Sequence, residues 1–250
     1  MLVLLNRYQI QSVSFNGKLM KAMYSSIVVV LSLSLLMLYR LKTFLLGSKY
    51  SSGNKILKEL PDAIGDLKGL EELNLEKCKS LESLPHTIGK LSRLRELQMR
   101  ECKCIRELPV SIGDCTSLII LGLSKCMGLT EIPSSVSKLS SLEDLVMAKC
   151  KELTAIPEEI GELCNLSMLD LRNCKKLKLL PPALGRLKNL QFLDLSTCKS
   201  LEALPNELAE LRNLRNLDVT NCMSLSEWPK ELDSLLPHTT GWPRTEKNGD

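Results

Sequence analysis

The sequence predicts an α/β solenoid with a parallel concave sheet, built from about seven 24-residue repeats. Three observations carry that prediction. Proline stands at Pro61, Pro85, Pro109, Pro133, Pro157, Pro181, Pro205 and Pro229, in frame and without insertion. Cysteine keeps the same interval at Cys78, Cys102, Cys126, Cys150, Cys174, Cys198 and Cys222. Within one unit the leucines follow two periods. Leu73 and Leu75 alternate as in a short strand, while Ile64, Leu67 and Leu70 recur every third residue as in a helical or 3₁₀ turn.

The chain divides into three parts: residues 1–56, the repeats over 57–236, and a tail over 237–250. The first part is basic, since Met1–Lys58 holds eight Lys or Arg and no acid, which leaves 25 basic against 29 acidic residues from Glu59 onward. A body of net charge −4 argues against nucleic-acid binding by the repeats. Residues 22–39 carry no charge over 18 positions. They read either as a cap over the apolar end of the solenoid or as a membrane anchor at the short end of the workable length. If they are an anchor, the cations flanking it favour the repeats on the cytoplasmic side. One period upstream of Cys78 stands Asn54, but Lys49 and Ser51 fall where apolar strand residues belong, so the first strand is expected to be degenerate or absent.

In each repeat the residue before proline is biased to extended backbone, and proline suits the first position of the turn that follows. Each Leu-Pro pair therefore marks the passage from the strand side to the outer side. No single unit can bury its leucines alone, so neighbours stack and their strands pair in parallel. Trp228 occupies a core column in the last unit, the frame is lost at Leu236 and Pro237, and no fold is expected from His238 onward.

The segment LPxxIGxLxxLxxLxLxxC recurs along the body, for example in LTAIPEEIGELCNLSMLDLRNCKK from Leu153 to Lys176. It resembles the leucine-rich-repeat region of plant intracellular nucleotide-binding immune receptors, the disease-resistance proteins. It is also similar to Ras-group leucine-rich-repeat scaffolds, which share LPxxIGxL but usually carry asparagine where this chain has cysteine. The resemblance implies a horseshoe that recognises protein in plant defence. The scaffold alternative implies signal transduction through a small GTPase or phosphatase partner. Since the nucleotide-binding switch domain of the receptors is missing from the sequence, recognition is implied and switching is not.

Nothing in the chain suggests an enzyme or a cofactor. The only histidines are His86 and His238, neither in a nucleophile or metal motif, and no phosphate-binding loop occurs. The periodic cysteines read as a structural column of reduced thiols, in keeping with a cytoplasmic setting. Cys102 and Cys104 form a lone CxC, too little for a metal site. The sequon at Asn165 is a single short match.

What remains is the concave face. Strand residues alternate sides, so Glu72, Asn74 and Glu76 point outward in the first unit, and the equivalent positions follow at each rung. Ile120, Val146, Met168 and Phe192 form the candidate apolar contact for a protein partner. Asp170, Asp194 and Asp218 stack in one column beside them, with Arg172 next to it. Contiguity is the argument for this patch. A monomer is expected. Leu169 is expected to matter greatly for stability and its neighbour Asp170 little.

Overall fold

The computed structural model describes residues 12–14, 42–46 and 55–241. Its strands form one parallel sheet in chain order: β1 (Ser12–Ser14), β2 (Thr43–Leu45), β3 (Glu72–Asn74), β4 (Glu96–Gln98), β5 (Ile120–Gly122), β6 (Asp144–Val146), β7 (Met168–Asp170), β8 (Phe192–Asp194), β9 (Asn216–Asp218) and β10 (Thr239–Thr240). The register from β3 to β9 steps by one repeat each time, with Leu73 opposite Leu97 and Leu97 opposite Leu121. Residues 24 apart in the chain thus share a column across the sheet.

The outer layer is 3₁₀ rather than α-helical. Five-residue turns such as Asp62–Asp66 and Glu158–Glu162 recur once per rung. Proline stands one position earlier than expected, as the extended cap of the turn with φ −68° at Pro61. It has no N–H to lose, and its carbonyl accepts the Ile64 amide at 3.0 Å. The unit then proceeds by three-residue steps, Leu67 N–H to the Ile64 carbonyl and Leu70 N–H to the Leu67 carbonyl. That spacing aims Ile64, Leu67 and Leu70 at the same interior, which is why the apolar period is three.

Inside, every column is nearly dry. Leu73, Leu97, Leu121, Leu145, Leu169, Leu193 and Leu217 are all 1% exposed or less, and the leucines and cysteines around them form a single core running the length of the stack. The inward and outward assignment of the strands therefore holds. Close stacking of the outer turns also explains a glycine position: a Cβ at Gly185 would run into the carbonyl oxygen of Glu207 on the next rung.

Cysteine closes the bend after each strand. The thiols of Cys102, Cys126, Cys150, Cys174, Cys198 and Cys222 each donate to a carbonyl 27 residues earlier at 3.1–3.3 Å, Cys102 to Leu75 and Cys222 to Leu195 at the two ends. Just before each cysteine of the repeat column lies a non-glycine residue in the left-handed region, from Lys77 to Asn221, with φ between 60° and 66°. This conformation turns its amide toward the next rung, as when the Lys125 N–H reaches the Ala148 carbonyl at 2.7 Å. The parallel ladder is thereby prolonged beyond the strand.

Both ends differ from the expectation. A strand does precede the first full repeat, but its inward residue is Phe44, with Leu46 just beyond its end, and Phe44 pairs with Leu73 across 29 residues rather than 24. Five additional residues displace it from the frame of Lys49 and Ser51. Phe44 and Leu46 are buried, and the Leu46 amide bonds the Asn74 carbonyl at 2.8 Å. At the other end, order continues past Leu236 and Pro237 through a 3₁₀ segment (Lys230–His238) into β10. Thr239 pairs with Leu217 across only 22 residues, so the expectation of no fold from His238 fails for His238 to Gly241. Trp228 is half-buried and packs against the core. Among the described residues no helix is long and apolar enough to cross a membrane. The candidate anchor over 22–39 lies outside the described residues, as do Lys49, Ser51 and Asn54.

Candidate functional site

The outward residues of the strands make two columns on the sheet face. The first runs Glu72, Glu96, Ile120, Asp144, Met168, Phe192, Asn216, and the second runs Asn74, Gln98, Gly122, Val146, Asp170, Asp194, Asp218. Met168 and Phe192 are direct cross-strand neighbours. Ile120 and Val146 join them only by diagonals, because Asp144 sits between Ile120 and Met168 in the first column. The apolar patch is therefore a zigzag. Phe192 is its most accessible member at 43% exposure, while Ile120, Val146 and Met168 are half-buried by flanking rungs.

Asp144 belongs at the centre of this patch, although apolarity alone did not single it out. Burial raises its carboxyl pKa above the ordinary range, the charge of Glu143 adds to the rise, and the Ser167 hydroxyl opposes it. The sign that could have found Asp144 was its column: it is an acid between two apolar residues one rung away on each side.

The aspartates prove to be structural ligands of their own backbone. Asp170 accepts the Arg172 amide at 3.1 Å, Asp194 the Ser196 amide at 2.9 Å and Asp218 the Thr220 amide at 2.8 Å. Asn74 does the same for Glu76 at 2.9 Å. A short side-chain acceptor two residues upstream satisfies an amide where the strand breaks. Asp170 is only 6% exposed and holds a backbone amide, so its replacement by Ala is expected to carry a cost. Burial pushes its carboxyl pKa up, while the Arg172 amide and guanidinium pull it partly back. Arg172 is exposed but already engaged, with Nη2 3.0 Å from Asp170 and Nη1 3.8 Å from Asp194. The polar half of the candidate site is thus largely self-satisfied, and the apolar half is not.

The remaining candidate chemistry does not converge. His86 stands exposed on an outer turn, its Nδ1 3.9 Å from Asp62. All ten cysteines are free thiols. Burial pushes Cys115, Cys150 and Cys198 up to about 12 and Cys222 to about 11, so these are poor nucleophiles at neutral pH. Cys102 is buried while Cys104 is exposed, so the CxC does not present a paired set. Among the described residues no group of three or more His, Cys, Asp and Glu is placed to hold a metal ion. The Asn165 amide donates to the Ser140 carbonyl at 2.7 Å, and Asn189 and Asn213 repeat that bond one and two rungs on. A structural column accounts for the asparagine of the sequon.

Stacked 24-residue rungs, a parallel sheet, 3₁₀ outer turns and a polar ladder at the bend define a leucine-rich-repeat solenoid. Family models agree. One described as a leucine-rich repeat region matches residues 87–174, and one described as a leucine rich repeat matches residues 165–187. Comparison with curated proteins finds no match.

Among solved structures, the leucine-rich repeat domain of the type III effector XopL is similar at 29% identity and a TM-score of 0.66, over 82% of this chain and 68% of that one. A leucine-rich-repeat protein of Leptospira interrogans is 23% identical over 81% of this chain and 78% of its own, with a TM-score of 0.35. A TDR receptor is 26% identical over 74% of this chain and 35% of its own, with a TM-score of 0.48.

Proposed function

We propose that the chain is a non-catalytic recognition module that holds a protein partner on its concave sheet, with Ile120, Val146, Met168 and Phe192 as the apolar contacts. The observation that carries this reading is Phe192, a large aromatic 43% exposed beside Met168 at positions that most rungs fill with polar residues. Aromatic and methionine side chains are favoured at interface centres, and Asp144 supplies a single polar contact among them. The mechanism is complementarity of shape and charge, without bond making.

The finer reading is a cytoplasmic recognition module of the plant disease-resistance type. Its support is the cysteine at the bend, where Ras-group scaffolds usually carry asparagine, together with ten free thiols including exposed Cys104 and Cys164. Peptides selected from a displayed random library against the whole chain test the surface. Selected peptides should lose binding when Ile120, Val146, Met168 and Phe192 are changed together to Asp, with circular dichroism unchanged. Undiminished capture by that folded variant rejects the patch.

A further inference from the structure

Charge on each rung is sorted by position. The seven five-residue turn segments that follow the strands, from 76–80 to 220–224, hold eleven Lys or Arg and three Glu, net +8. The seven strand segments before them, from 71–75 to 215–219, hold eight Asp or Glu and two Arg, net −6. A body that is acidic in total therefore carries a basic flank.

The cations of that flank fall into two kinds. Lys125, Arg172 and Lys176 are tied to Glu101, Asp170 and Glu152 at 2.6–3.0 Å. Lys103, Lys149, Lys151, Lys175 and Lys199 are exposed, and among the described residues none of these five forms an ion pair. Lys103, Lys149, Lys151 and Lys175 line one shallow groove together with Met127. Because a rung advances by about 5 Å, the five ammonium groups span roughly 20 Å along one side of the solenoid. They arise from the same bend of four rungs, the one between the first two contributing Met127, and so reach a flat surface together.

We infer that this flank docks the solenoid onto an anionic phospholipid surface. Lysines are hydrated point charges that suit headgroup phosphates without fixed geometry. Met223 extends the same column and is 72% exposed, an apolar tip that an interfacial layer accepts. Nucleic acid is the poorer occupant. The turn segments contain no aromatic residue for base stacking, and Arg172 is already held by aspartates. A polyanion bending into the concavity would also meet the acidic strands, whereas a plane touching the flank does not. Docking by the flank leaves the sheet face open, so this inference stands apart from the proposed recognition patch.

The test is flotation of the whole chain with phosphatidylcholine vesicles, with and without phosphatidylserine, at low and high salt. Binding should require phosphatidylserine and weaken with salt. Changing Lys103, Lys149, Lys151, Lys175 and Lys199 to Glu should lower partitioning at least about 100-fold. Glu101 already occupies the left-handed position that Lys149 holds, so this position accepts glutamate. A control with the same charge change on or beside the outer turns, Lys68, Lys90, Arg93, Arg186 and Arg212 to Glu, should bind within about threefold of the parent, since screening weakens the reach of cations off the docking flank. Circular dichroism checks both folds, and the five lysines changed to Gln serve if the Glu variant misfolds. Equal loss in both variants, no loss in the lysine variant, or no preference for phosphatidylserine overturns the inference. So does lysine-dependent capture of a DNA duplex by a chain that ignores the vesicles.

Discussion

The cysteine column and the aspartate column flank the same bend, cysteine recurring at seven rungs and aspartate at the last three, Asp170, Asp194 and Asp218. From sequence they look like opposites, one a structural filler and the other part of a binding face. Atomic geometry makes them alike. Each cysteine thiol reaches a carbonyl on the rung before it, and each aspartate receives an amide two residues ahead. In a stack of similar units, a polar residue that recurs reports on a backbone group that it partners at each rung where it stands. Partner recognition has to be sought where the repetition breaks, at Ile120, Met168 and Phe192 in a column that is otherwise polar.

The largest expected effect fixes the scale of the comparison. Leu169→Ala, at a fully buried position, should destabilise by about 2–5 kcal/mol in denaturant unfolding. Next comes the bend: Cys150→Ala removes a buried thiol bonded to Leu123 and should cost about 1–2 kcal/mol. A change within error would leave the column without an energetic role.

Asp170→Ala strands the Arg172 amide and should cost about 1 kcal/mol, while Asp170→Asn, which keeps an acceptor as Asn74 does, should recover most of it. The two variants also separate acceptor from charge. Because burial raises the Asp170 carboxyl, the folded state holds its proton more tightly than the unfolded state. The contribution is fully present below the ordinary value of 3.8 and is lost as pH rises through the raised folded value. Asp170→Asn should flatten that part of the stability profile. Last, Phe192→Ala should change stability by no more than about 0.5 kcal/mol while weakening peptide capture. A stability loss like that of Leu169→Ala would mean that the ring serves the fold.

Periodicity made the fold legible, and its limits follow from the same source. Leu73, Pro61 and Cys78 could be placed because each is one of a series in frame. Phe44 and Leu46 could not, since a 29-residue unit puts them outside every series although they bury as deeply as their successors. Thr239 escaped for a second reason: it fills a leucine column with a polar side chain after a 22-residue unit. Alternation along the strand gave the side on which Asp170 lies but not its depth, because crowding by Arg172 and the neighbouring rungs is a property of the assembled sheet. The same crowding half-buries Ile120, Val146 and Met168 and leaves Phe192 accessible.

The two-residue strand at Thr239–Thr240 has a consequence for how molecules of this protein meet one another. A pile of equivalent rungs is a template, and an open last rung invites the first rung of another copy, the start of a filament. Here the final strand is short, its two side chains are hydroxylic, and Gly241 turns away at φ 84°, so little ladder remains to be extended. Among the described residues the parallel ladder therefore tapers to two hydroxylic side chains at that end.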